Sequence, residues 1–507
     1  MGLLNTLRDH PAVSYMAGNP LTSILALLGI LLAVSSIRSY LRLRHIPGPF
    51  LARHTYMWFM RKMASGNIHE MLPKLQEEYG PLLRIGPNDL LLGDLDELLR
   101  TNSFRDGMGR SDWFRNMRFD SAGEGMASML DTAEHDARKA MLLRAYEGRG
   151  EVNLEKLMDS QLEKLISLIQ EDCLDKVVDW AAMARWFSVD LATLATMGKA
   201  WGSMDSRSDL HGFFQVADEV VPFMHTLTTW AAARKITGNG LFLRLLGPKT
   251  TDKAGIGKFM EVTKSEVARR FAHPDDKVED MLGEWMKQGL AQADCDQEVS
   301  MATIAGADTS AIPTRAAILY LGSTPYVYNK LKAEIAEGIK AGKISSPITL
   351  QEARALPYLQ AVLYETFRIL PGTSTGFAKR VNPGGDVICG YKVPAGTDIY
   401  PNNVALVRNK AVFGEDVEIF RPERWLNKAP EERLCMEKHV DFLFGHGRFM
   451  CPGKNLAWLG LNKIFVEILR NFDIQIARPH RPWTMKYYST LCISDLPVKF
   501  TEGKIQV

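Results

Sequence analysis

Apolar residues recur at helical spacing along most of the chain. Residues 154–169 and 326–341 contain no proline and carry such a stripe, which predicts amphipathic helices. A further helix opens at Pro357 and stops before Pro371, with Leu359, Val362, Leu363, Phe367 and Leu370 on its apolar face. From Val299 to Leu321 the only charges are Asp308 and Arg315, so this stretch reads as a helix buried in the core of a large protein. Pro313 lacks the N–H that would bond the Thr309 carbonyl, so this helix should loosen near Thr309. Strand-like pieces are short, at 82–85, 90–92, 386–388 and 392–393. They fall in two groups far apart in sequence. The pattern predicts a mainly α protein with a small β region assembled from distant segments.

The sharpest break lies at the start. Residues 21–37 are uncharged and rich in Leu, Ile, Ala and Val. As a helix they span about 26 Å, against a hydrocarbon core of about 30 Å. Arg38, Arg42 and Arg44 follow, a basic stop that places the bulk of the chain on the cytosolic side. The expectation is one N-terminal transmembrane helix, with an anchor and its stop at 1–44 and a globular body at 45–507. Pro47-Gly48-Pro49 forbids continued helix and reads as a hinge between the two, or equally as an ordinary turn.

Composition narrows the chemistry. Lys plus Arg and Asp plus Glu nearly cancel, for a formal net charge of +2, which gives no support for nucleic-acid binding. Six cysteines in 507 residues form no C-x-x-C pair, so zinc ribbons and thioredoxin-like redox sites are excluded. Any cysteine with a chemical role works alone. The glycine-rich stretch near residue 450 is not a P-loop, because Asn455 stands where a Ser or Thr would hold magnesium.

Four constellations carry the remaining signal. The segment Phe444-Gly445-His446-Gly447-Arg448-Phe449-Met450-Cys451-Pro452-Gly453 delivers one cysteine just before a helical pattern. Free N–H groups and the helix dipole there favour thiolate, a strong ligand for iron. Taken alone, a buried inert cysteine is the commoner explanation. Glu365 and Arg368 sit at i and i+3 on the polar face of the 357–370 helix, where a solvated pair is the simpler account. Arg424 lies in the charged, proline-interrupted loop Phe420-Arg421-Pro422-Glu423-Arg424-Trp425. Asp308 and Thr309 occupy the segment that Pro313 loosens, where an acid and an alcohol can hold water and pass protons, or merely cap a kink.

In this order and at these distances, the four motifs resemble the cytochrome P-450 family of haem-thiolate monooxygenases, over the whole chain. The resemblance implies that fold, with haem b as cofactor and Cys451 as the axial iron ligand. It implies that Asp308 and Thr309 form the acid–alcohol pair that guides protons during oxygen activation. Glu365, Arg368 and Arg424 match the structural triad. His135 and Lys139, at i and i+4, match a position that holds a haem propionate, with Lys for the usual Arg. Arg380 resembles another propionate contact. Phe449 replaces the Arg usually found two residues before the cysteine, and Arg448 is expected to take over its propionate. This shifted loop resembles a fungal branch that includes pisatin-demethylase-like enzymes, which implies specialised metabolism.

The implied reaction inserts one oxygen atom from O₂ into a small lipophilic substrate by hydroxylation, epoxidation or oxidative demethylation. The chain has no recognisable flavin or nicotinamide site. NADPH therefore serves only indirectly, through a membrane-bound cytochrome P-450 reductase, with cytochrome b5 as an auxiliary donor. The implied location is the endoplasmic reticulum membrane, single-pass, with a cytosolic catalytic body. Residues 110–130, 213–230 and 489–493, with Ala305 and Phe377, are the expected substrate surroundings. The alternatives are a non-oxidative haem-thiolate isomerase or dehydratase and a haem-binding sensor without turnover. The presence of Asp308 and Thr309 favours oxygen activation.

Overall fold

Residues 20–150 and 152–505 are described in the computed structural model. The predicted helices form close to their expected limits, at Leu154–Leu168, Pro325–Lys340 and Pro357–Ile369. The predicted short strands form too. Strands β1 (Leu82–Arg84), β2 (Asp89–Leu92), β3 (Gly109–Arg110), β4 (Lys379–Arg380) and β5 (Asp398–Pro401) make one sheet in the order β1-β2-β5-β4-β3. The β2–β5 pair is parallel and joins segments about 300 residues apart, which is why no local pattern announces it.

Helices carry the rest of the core. We label α1 (Pro20–Leu43), α2 (Thr132–Tyr146), α3 (Trp180–Met197), α4 (Phe213–Leu227), α5 (Gln292–Thr309), α6 (Ala311–Ser323), α7 (Pro357–Ile369) and α8 (Lys454–Asn471). Helix α3 packs along α5, and α7 and α8 meet nearby. One continuous apolar cluster includes Trp180, Val299, Ile312, Leu363 and Phe465. The central helix breaks at Ser310 between α5 and α6, where Pro313 withholds its N–H from the Thr309 carbonyl. A smaller cluster of Val189, Phe213, Phe214, Phe259 and Ala307 seats α4 on α3 and α5. Phe213 and Phe214 are therefore core, not lining.

The N-terminal segment is helical, as expected. The described part of residues 1–44 is α1, and residues 1–19 lie outside the described residues. Leu21, Ile24, Leu27, Ile30, Val34 and Ile37 are all more than half exposed. Several side chains of α1 also lie outside the described residues, and among those described no helix is long and apolar enough to cross a membrane. The two residues flanking the expected boundary pack into the body. Leu43 and Ile46 are fully buried with Leu82, Leu90 and Ile399. Arg42 donates to the Ala395 carbonyl and to Thr397 Oγ1 at 3.2 Å, and Arg84 donates to the Ser39 carbonyl at 3.1 Å.

Pro47-Gly48-Pro49 is not a hinge. The Pro47 carbonyl accepts from the Arg84 N–H at 2.8 Å. A Cβ on Gly48 would fall 2.5 Å from the Arg84 carbonyl, so only glycine permits this approach to β1.

Candidate functional site

The Cys451 loop follows a short 3-10 turn at Phe442–Phe444 and ends where α8 begins. The Cys451 N–H donates to the Phe444 carbonyl at 2.7 Å. Gly447 has φ +64°, and a Cβ there would lie 2.1 Å from the Asn102 carbonyl, so glycine is required twice over. Cys451 is a free thiol. Burial pushes its pKa up, against the pull of the Gly453 and Lys454 N–H groups and of the Lys139 and Lys454 charges. A bound metal cation reverses that balance, because a coordinating thiol is deprotonated outright.

Glu365 and Arg368 face the protein interior, not solvent. Arg368 donates to both Glu365 oxygens at 2.7 and 2.8 Å, and Arg424 Nε donates to Glu365 Oε1 at 2.9 Å. Trp425 Nε1 and the Arg421 N–H complete the carboxylate's partners at 2.9 and 2.8 Å. The remaining arginine donors meet the carbonyls of Phe413, Val417 and Ile419 and the Asp416 side chain. A fully buried ion cluster is tolerated only when each polar atom is answered in this way.

At the break between α5 and α6, Asp308 accepts from Arg185 Nε at 2.9 Å and Arg315 Nη1 at 3.2 Å. Burial would push the Asp308 carboxyl up, but the two arginines outweigh it and hold it below the ordinary carboxylate range. Arg185 also forms a two-pronged pair with Asp218 of α4, both contacts 2.6 Å. The Thr309 hydroxyl donates to the Ala305 carbonyl at 2.6 Å and is exposed. Asp308 and Thr309 are thus adjacent but differently engaged. Arg315 was visible in the sequence as the only other charge nearby, whereas Arg185 and Asp218 come from distant helices.

The residues expected around the haem carboxylates separate into two groups. His135, on α2, is buried, and its Nδ1 lies 2.9 Å from Asp136 Oδ1. Burial and the nearby Arg110 push its pKa down to about 4. Lys139 donates to the Arg448 and Met450 carbonyls at 2.7 and 2.9 Å, tying α2 to the cysteine loop. Arg448 is held by Asp136 at 2.7 Å and by the Phe104 carbonyl. Arg380 is held by Asp398 at 2.8 Å and Asp112 at 2.9 Å. It lines a polar cleft of about 240 Å³ with Tyr56, Asn88, Asp112 and Arg234, a cleft that includes no residue of the cysteine loop. Both arginines have carboxylate partners in this structure.

Strand parity explains Arg380. Successive residues of β4 point to opposite faces, so Lys379 turns inward where Arg380 turns out. Lys379 is 5% exposed, and the charges that act on it are those of Arg110 and Lys139. Opposite it on β3 stands Arg110. The Arg110 guanidinium donates to the Met126 and Met129 carbonyls, but its Nε is buried without a partner. An anionic, flat cofactor fits this surplus of buried cation beside a lone cysteine. Sequence reasoning missed Lys379 because a two-residue strand has no alternation to read.

The cytochrome P-450 family model matches residues 47–500. The cytochrome P-450 monooxygenase ABA1 of Pyricularia oryzae is 36% identical, over 99% of both chains. That named aba1 in Botryotinia fuckeliana is 37% identical, over 91% of this chain and 92% of its own. A pisatin demethylase of Fusarium vanettenii is 31% identical, over 87% of this chain and 85% of its own. With the match running from the turn at Pro47 through the sheet, the buried Glu365 cluster and the cysteine loop, the chain belongs to the cytochrome P-450 family and is a haem-dependent monooxygenase.

Proposed function

We propose that this enzyme inserts one oxygen atom into a small lipophilic compound of fungal specialised metabolism, with Cys451 as the axial ligand. The observation that carries the reading is the free Cys451 thiol in a glycine-shaped loop, with the buried Arg110 and Lys379 opposed on neighbouring strands nearby. Relatives named as a pisatin demethylase and as monooxygenases support the metabolic assignment. Haem b, when bound, supplies the oxygen-activating chemistry, and the family draws its electrons from NADPH through a reductase.

The chain's own residues bind, orient and move protons. Lys139 and Gly447 set the position of the cysteine loop, and His135, whose Nδ1 meets Asp136, would donate to a haem carboxylate from its other ring nitrogen in the protonated form. The Thr309 hydroxyl donates its hydrogen to the Ala305 carbonyl, which leaves its oxygen lone pairs to accept a hydrogen bond from water. Asp308, kept ionised by Arg185 and Arg315, is held as a charged hydrogen-bond acceptor that orients water beside Thr309. The cluster of Glu365, Arg368 and Arg424 holds α7 against the loop at 420–425.

Exposed apolar residues on α1, and a second set at Ile236, Leu241, Leu245 and Leu246, support attachment to the endoplasmic reticulum membrane, with the body cytosolic. Attachment there keeps the reductase and cytochrome b5 close.

A carbon monoxide difference spectrum of the reduced protein tests the ligand. The thiolate-type Soret band should be present in the parent and absent in Cys451→Ala. Turnover of lipophilic compounds with NADPH and reductase separates an enzyme from a sensor. A parent protein lacking the band refutes the assignment of Cys451.

A further inference from the structure

Two cations face each other across β3 and β4. Arg110 and Lys379 are direct partners in this antiparallel pair. Like charges at directly opposed positions repel, and burial adds a desolvation cost to each. No carboxylate pairs with either among the described residues. Aromatic rings surround them instead. Lys379 Nζ lies 3.7 Å from the centroid of the Phe449 ring and 4.9 Å from that of Phe114. The Arg110 guanidinium lies 4.8 Å from Phe449 and 4.3 Å from Phe114. The His135 ring is 4.7 Å from the same Phe449 ring.

Phe449 is therefore more than a lost arginine. A third cation at this position would face two others, neither paired with a carboxylate among the described residues. A ring with its negative face toward them attracts both and fixes where they point. We propose that Phe449 is a positioning residue that, with Phe114, aims Lys379 and Arg110 at the carboxylate arms of the haem. The pair Arg110–Lys379, rather than Arg380 or Arg448, then supplies the charge that answers those arms. This inference rests on the haem-thiolate reading above.

The test uses the holoenzyme. Haem transfer to excess apomyoglobin and the ferric–ferrous potential are measured alongside the carbon monoxide spectrum. Lys379→Met should speed haem loss by about tenfold, the worth of one charge-assisted hydrogen bond. It should also lower the potential, because a cation near the haem favours the more negative reduced state. Lys379→Arg should restore both. Phe449→Leu should move both readouts in the same direction by a smaller amount, and Phe449→Tyr should stay near the parent. A merely structural role for Phe449 would not shift the potential. Should Lys379→Met fail to accumulate as folded protein, the Phe449 pair of variants carries the comparison. Unchanged haem loss and potential in Phe449→Leu would overturn the proposal, as would a larger effect from Arg380→Met than from Lys379→Met. Either result, with the thiolate band intact, sinks only this inference; loss of the band in the parent sinks the reading beneath it.

Discussion

Glu365 answers two buried guanidinium groups, an indole N–H and a backbone N–H at once. Glu365→Gln would leave Arg368 and Arg424 as buried cations without a full counter-charge. We expect a loss of about 3–5 kcal/mol, seen as a lower denaturation midpoint and little folded holoenzyme. Thr309→Ala should keep the thiolate band while product formed per NADPH falls; normal coupling would remove Thr309 from the proton path. Glu298 gives a pH signature. Its carboxylate accepts from the Met126 N–H at 2.7 Å and from Arg138 at 3.1 Å, yet burial raises its pKa to about 7. In the unfolded chain the value is about 4.3. Between these two values the folded state binds the extra proton, so this group's contribution to stability falls as pH rises. Below about 4.3 the penalty is absent, and above about 7 it is complete. Glu298→Gln should therefore gain on the parent in melting temperature from pH 5 to pH 8; a pH-independent difference would refute the shift. At this scale the sequence was legible where spacing is local, as in the Glu365–Arg368 pair and the cysteine loop. It failed at Lys379 against Arg380, where one residue of strand register decides which charge faces inward.

Helix α7, the helix at 325–340 and the break beside Pro313 could be read because proline and apolar periodicity act within a few residues. The C-terminal strands Phe472–Ile476 and Pro497–Glu502 pair with each other, and the latter also with Val177–Asp179, a strand more than 300 residues away. Such pairings leave no local trace. Another long-range device holds the helix Ala231–Thr237 to the sheet. Arg234 is buried and paired with Asp89 of β2 and with Asp398 of β5 at 3.1 Å, while also donating to the Thr228 and Thr229 carbonyls. Arg234→Ala would leave Asp89 buried without its cation, while Asp398 keeps Arg380, at a cost of about 3–5 kcal/mol. The segment at 228–246 should then exchange its amide hydrogens faster than the sheet below it. Uniform exchange across both would show that Arg234 is not the fastening point. Arg185 links elements in a similar way, joining Asp218 on α4 to Asp308 on α5.

For the molecule as a whole, the boundary of the body matters. Deleting residues 1–36 should leave a folded protein with an intact thiolate band and weakened membrane association. Deleting 1–44 should cost about 2 kcal/mol more, because Leu43 and the Arg42 contacts go with it. Equal denaturation midpoints for the two truncations would place the boundary back at 45. The continuity of α1 into the body has a mechanical corollary. A flexible tether lets a globular head adopt any heading, but a rod fixed at Ser39, Arg42 and Leu43 does not. Each residue inserted upstream of Ser39 turns the apolar stripe by about 100° around the helix axis. In a protein attached to a membrane through α1, the azimuth of the body would follow a residue count in that helix.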